Sequence, residues 1–127
     1  MKFLLTIWAD ESTWSEMSPE EARADLDRWF AYTRELEQAG VLLGAEALQP
    51  TATGRTWRPG AGVVTDGPFA ETAEQLAGFY LLECADIDEA VRWGRKIPLS
   101  AGSVELRPVM DFGSGEEAPG AERAAQA

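Results

Sequence analysis

The 127-residue sequence predicts an α+β domain, an antiparallel sheet with its helices packed on one face. Three observations point there. Strand-like apolar runs and two segments of helical period follow one another in the order strand, long helix, strands, helix, strand. Both helical segments open on a capping signal, Ser18-Pro19-Glu20-Glu21 and Asp86-Ile87-Asp88-Glu89. The runs FLLTIW and FYLLECA are apolar on both of their faces. The order is that of a split βαβ, or ferredoxin-like, domain. Its two-sided strands imply a covered open face. A second copy of the sheet is the simplest cover, which gives a dimeric α+β barrel.

The elements follow in turn. Residues 2–8 form the first strand, with Phe3, Leu5 and Ile7 on one face and Leu4 and Trp8 on the other. A loop runs from Ala9 to Met17. Ser18 then caps a long helix with Pro19 in its first turn, and Ala22, Leu26, Trp29, Phe30, Thr33 and Leu36 recur as its apolar stripe. Gly40 supplies the left-handed residue after it. Residues 41–48 form a second strand, ended by Gln49-Pro50. Residues 53–57 and 62–65 form a further strand or a hairpin around Arg58-Pro59-Gly60, and 78–85 another strand after a polar stretch at 70–75. Asp86 caps the second helix, which buries Ile87, Ala90, Val91, Gly94 and Ile97 before Pro98 stops it. Residues 103–109 form the last strand. The chain thus divides into a domain at 1–112 and a Gly, Ala and Glu-rich tail at 113–127, read as disordered.

Bulk composition excludes several functions. Eleven basic and 22 acidic residues give a net charge of −11, which repels nucleic acid and anionic lipid. Solubility is the simplest use of that charge. The chain has no histidine, so the commonest neutral-pH base and metal ligand is missing. Cys84 is the one cysteine; it forms no disulfide framework and reads as an inert buried thiol. No apolar run approaches the ~20 residues that span a bilayer. The opening MKFLLTIWADES reads as a strand and not a signal peptide, so a cytoplasmic protein is expected.

The stretch VVTDGPFAE at 63–71 carries the sharpest local signal. Asp66 can accept backbone N–H bonds in a turn, Gly67 supplies unusual backbone angles, Pro68 rigidifies and Phe69 anchors. That structural reading explains all four positions and is preferred. A catalytic reading adds that a carboxylate in an apolar dimer cleft has a raised pKa suited to proton transfer, with Glu71 as a second acid. Glu71 and Glu74 could hold Mg²⁺, but a solvated loop is the better reading, and neither metal nor cofactor is expected. Arg55 and Arg58, flanking Trp57, could close over an acidic ligand, although surface arginines with no specific role are the preferred reading. Trp8, Trp14 and Tyr80 could line a pocket, although aromatic residues in a small domain usually form core.

The stretch VVTDGPFAETAEQLAGFYLLE at 63–83 closely resembles the signature of the DGPF-type branch of the YCII-related family. MSPEEARADLDRWFAYTRELEQAGVLLGAEALQP at 17–50 and GSVELRPVM at 102–110 resemble its first helix, second strand and last strand. The resemblance covers most of residues 1–111. It implies a ferredoxin-like fold paired into a dimeric barrel. Some family members resemble enzymes of aromatic degradation, such as a dehydrochlorinase, that use a His–Asp pair. Only Asp66 can be carried over from such a pair here, and a lysine common in the loop is Ala73.

The resulting expectation is a homodimer that binds a small molecule in a pocket at the dimer interface beside the DGPF loop. Asp66 and Glu71 are its candidate acids, and Arg55, Trp57, Arg58, Phe69 and Tyr80 its candidate ligand contacts. Two alternatives remain. One is an enzyme using Asp66 for proton transfer on a small organic substrate. The other is a non-enzymatic regulator associated with an extracytoplasmic-function sigma factor, a setting the family resemblance implies.

Overall fold

The computed structural model describes residues 1–68 and 72–113. Phe69, Glu71 and the stretch from 114 onward, which holds all but the first residue of the expected tail, lie outside them. The elements are β1 (Lys2–Ala9), α1 (Ser12–Ser15), α2 (Pro19–Gln38), β2 (Leu42–Ala47), β3 (Arg55–Trp57), β4 (Val64–Asp66), β5 (Gln75–Glu83), α3 (Ile87–Gly94) and β6 (Ser103–Pro108), with a short 3-10 turn at Thr51–Thr53. Four strands form one sheet in the order β2-β5-β1-β6, and β3 and β4 form a separate two-stranded ribbon. Every pairing is antiparallel. This is the α+β fold that the order of elements predicts, with the connectivity of a split βαβ unit.

Strict alternation along β1 divides the sheet into two faces. Phe3, Leu5, Ile7 and Ala9 are buried, while Leu4, Thr6 and Trp8 are half-buried on the opposite face. Register carries the division across: Phe3 lies opposite Leu82 and Leu5 opposite Tyr80, whereas Leu4 lies opposite Leu81 and Thr6 opposite Phe79. Phe3, Leu5, Leu36 and Leu82 are the largest fully buried side chains. Burying each contributes ~1.5–3 kcal/mol, so the core sits between this face and the helices.

Helix α2 begins as its sequence requires. Ser18 accepts a hydrogen bond from the Glu21 N–H at 3.1 Å and donates its hydroxyl to the Glu21 carboxylate. Gly40, at φ 73°, follows the C-cap. The buried side of α2 differs from the expected stripe: it holds Asp25, Tyr32 and Leu36, with Trp29 and Thr33 half-buried. Ala22, Leu26 and Phe30 are exposed. The helix is turned because Asp25 has partners inside that neutralise the cost of its burial, described below. Helix α3 is likewise turned. Asp86 caps it through the Glu89 N–H at 2.8 Å, and Ala90 is buried, but Ile87 and Val91 are exposed. Trp93 and, beyond the helix, Ile97 complete its inner side. The expected loop at 9–17 contains the one-turn helix α1. Among the described residues no helix is long and apolar enough to cross a membrane.

Candidate functional site

The site is built where three chain connections meet at one end of the sheet. Strand β4 ends on Asp66, which lies opposite Arg55 across the ribbon. The Arg55 Nε atom stands 3.1 Å from Asp66 Oδ1, and the same guanidinium donates to the Gly54 carbonyl at 2.8 Å. The Asp66 carboxylate therefore takes a side-chain partner, where the sequence predicted backbone N–H donors. Its side chain is 85% exposed, so the burial that a proton-transfer role calls for is not supplied within one chain. Gly67 makes the turn that follows at φ 88°, a region closed to most side chains. Its N–H donates to the Gly54 carbonyl at 2.9 Å, and its carbonyl accepts from the Thr56 hydroxyl at 2.8 Å. These bonds hold the Asp66-Gly67-Pro68 turn against Gly54 and against Thr56 of β3.

A cleft of about 500 Å³ opens beside this turn, lined by Thr51, Ala52, Asp66, Gly67, Pro68, Thr72 and Gln75. Its walls are tied together by side chains that bridge the connections. Glu11, after β1, accepts the Thr51 N–H at 2.6 Å, and its own N–H donates to Gln75 Oε1 at 3.2 Å. Gln75 Nε2 donates to the Thr72 carbonyl at 2.5 Å. Glu74 accepts from the Ser103 hydroxyl at 2.9 Å, which joins the same loop to the start of β6. Asp10, next to Glu11, accepts the Ser12 N–H at 2.9 Å; that bond, with a weaker one from the Ser12 hydroxyl, holds its carboxyl below the usual range. The lining offers hydroxyls, a carboxamide, backbone groups and one carboxylate. Such a set can recognise a polar molecule by hydrogen bonds.

The other residues singled out from sequence divide between surface and core. Trp57 is exposed on the ribbon and Arg58 stands at its turn, and neither lines the cleft. Tyr80 is buried on the helix side of the sheet. Its hydroxyl lies 2.9 Å from the Thr33 hydroxyl and its ring is stacked with Trp29 at 6.5 Å. Burial raises its pKa. Tyr80 is core, the plainer of its two readings. Phe69 and Glu71 lie outside the described residues. Glu74 spends one carboxylate oxygen on Ser103, and among the described residues no three His, Cys, Asp or Glu side chains gather as a metal site would require.

Sequence reasoning passed over a second polar centre. Asp25 is 5% exposed. Its Oδ2 accepts the indole N–H groups of Trp14 and Trp29, each at 3.1 Å, and its Oδ1 meets Arg28 at 3.1 Å. Trp14 thus pins α1 to α2, which fixes the path between β1 and the long helix. The spacing Asp25, Arg28, Trp29 places all three on adjoining helix positions, a signal that was present but reads as an ordinary solvated face. Thr51, Thr72 and Gln75 carried no comparable signal, because only the folded loops bring them together.

Comparison with known proteins places these features in a family. Residues 1–113 match the YCII-related domain. An uncharacterized protein of Rhizobium meliloti (strain 1021) is 40% identical over 121 residues, covering 91% of this chain and 98% of that protein. The chain belongs to the YCII-related domain family.

Proposed function

We propose that this YCII-related chain binds a small polar molecule in the cleft beside the Asp66-Gly67-Pro68 turn and acts as a homodimer whose open sheet faces meet. The observation that carries the reading is the cleft itself, an open hollow of about 500 Å³ lined from the β2–β3 and β4–β5 connections, which Glu11 ties together through Thr51 and Gln75. The hydroxyls of Thr51 and Thr72, the Gln75 carboxamide and the Asp66 carboxylate suit a small polar ligand. Dimerisation is supported by Leu4, Trp8, Phe79 and Leu81, which share the face of the sheet opposite the helices. Binding is favoured over proton transfer because Asp66 is exposed and already paired with Arg55. The test is a metabolite library screened by thermal shift against the wild type and Gln75→Ala. The reading requires a compound that raises the melting temperature of the wild type and fails to raise that of the variant. A library that stabilises neither protein, or both equally, overturns it.

A further inference from the structure

We infer that the ligand of the cleft beside the Asp66-Gly67-Pro68 turn is a small organic cation, an amine whose ammonium group is held by the Asp66 carboxylate. The inference rests on the binding reading above and names the chemical class that the cleft takes.

Hydrogen-bond capacity selects the class. The donors around the cleft are largely spent inside the protein. The Thr51 N–H donates to Glu11 Oε1 at 2.6 Å, and the Gly67 N–H donates to the Gly54 carbonyl at 2.9 Å. The Thr72 hydroxyl donates to the Glu74 carbonyl, and Gln75 Nε2 donates a hydrogen to the Thr72 carbonyl at 2.5 Å. Pro68 has no N–H. What is left for a ligand is chiefly acceptor capacity, on the Asp66 carboxylate and on the hydroxyl oxygens of Thr51 and Thr72. An ammonium group carries only donors and matches that lining. A carboxylate or phosphate group offers mainly acceptors and would find few donors there.

Charge points the same way. Asp66 is the one charged residue among the described lining residues. Arg55 stands beside it but is committed elsewhere: its Nε meets Asp66 Oδ1, and its Nη1 donates to the Thr53 and Gly54 carbonyls at 3.3 and 2.8 Å. Asp66 Oδ2 meets no donor among the described residues. An ion pair this exposed holds weakly, so it leaves the carboxylate able to accept a second cation. The Glu11 carboxylate lies directly behind the Thr51 wall and adds to the negative potential, and a net charge of −11 draws cations from a distance. Arg58 does not line the cleft, so neither arginine is placed to receive an acidic ligand there.

Amide NMR titrations of the full chain at low salt test the class with diaminobutane, butanediol and succinate. These probes share one carbon skeleton and differ in the charge of their ends. Diaminobutane should give saturable shifts at Thr51 and Gly67 with a dissociation constant about tenfold or more below that of butanediol, and succinate should leave both amides unmoved. Asp66→Asn keeps the size and polarity of the side chain while removing its charge, and it should weaken diamine binding about tenfold. Resonances unchanged away from the cleft check that the variant is folded. Succinate or butanediol bound there as tightly as the diamine overturns the cation and leaves the cleft as a binding site. So does a diamine affinity that Asp66→Asn fails to lower. A cleft that none of the probes shifts overturns the cation, and the binding reading falls with it only when the metabolite library also stabilises nothing.

Discussion

Asp25 is buried and Asp66 is exposed, although each has an arginine nitrogen at 3.1 Å. The surroundings separate their contributions. Asp25→Ala would strip two indole N–H groups and Arg28 of a buried acceptor, so a loss of about 2–4 kcal/mol in unfolding free energy is expected by urea titration. Asp66→Ala breaks an exposed pair, and the expected loss is below ~1 kcal/mol. A loss at Asp66 as large as that at Asp25 would show that the turn depends on the carboxylate. The need for glycine at position 67 was legible because backbone geometry leaves a local mark, and φ 88° bears it out. The burial of Asp25 was not legible. One of its partners, Trp14, comes from eleven residues earlier in the chain, and a polar residue on a helix ordinarily faces water.

At the scale of elements, β5 and β1 are the two central strands: β5 pairs with β1 and β2, and β1 also pairs with β6. Gly78 faces the β2 backbone with no room for a side chain: a Cβ there would stand 2.6 Å from the Glu46 carbonyl oxygen and 3.2 Å from Ala47 Cα. Both are backbone atoms, so Gly78→Ala should displace β2 at a cost of about 1–3 kcal/mol, seen as faster amide exchange in β2 than in β6. The aromatic layer beneath α2 predicts a pH dependence. Burial raises the pKa values of Tyr32, Tyr80 and Cys84 above their ordinary 10.0, 10.0 and 9.0. Above those values the unfolded chain releases protons that the folded chain retains. Stability should therefore be full below pH 9 and decline as pH rises past 10, and Tyr32→Phe should flatten that decline. Strand and helix positions were readable because capping and alternation are local. The rotation of α2 was not, because the apolar stripe through Leu26 and Phe30 outscored a face that buries Asp25 through tertiary hydrogen bonds.

For the whole molecule, the order of elements determined the topology, because few sheets accommodate two capped helices on one side of four antiparallel strands. The cleft escaped the same reasoning, since its walls come from loops that the sheet alone brings together. Sheet pairing on the proposed dimer gives a further expectation. Leu81→Asp, placed in the middle of the open face, should yield a folded monomer by sedimentation. A variant that remains dimeric would move the interface elsewhere.

The most direct measurement is an amide NMR titration of the full chain with the best compound from a metabolite screen. Saturable shifts should concentrate at Thr51, Ala52, Asp66, Gly67, Thr72 and Gln75, the lining residues that carry a backbone N–H. Shifts that gather on α2 or along the ribbon turn instead, with the cleft silent, would contradict the assignment of this cleft as the binding site.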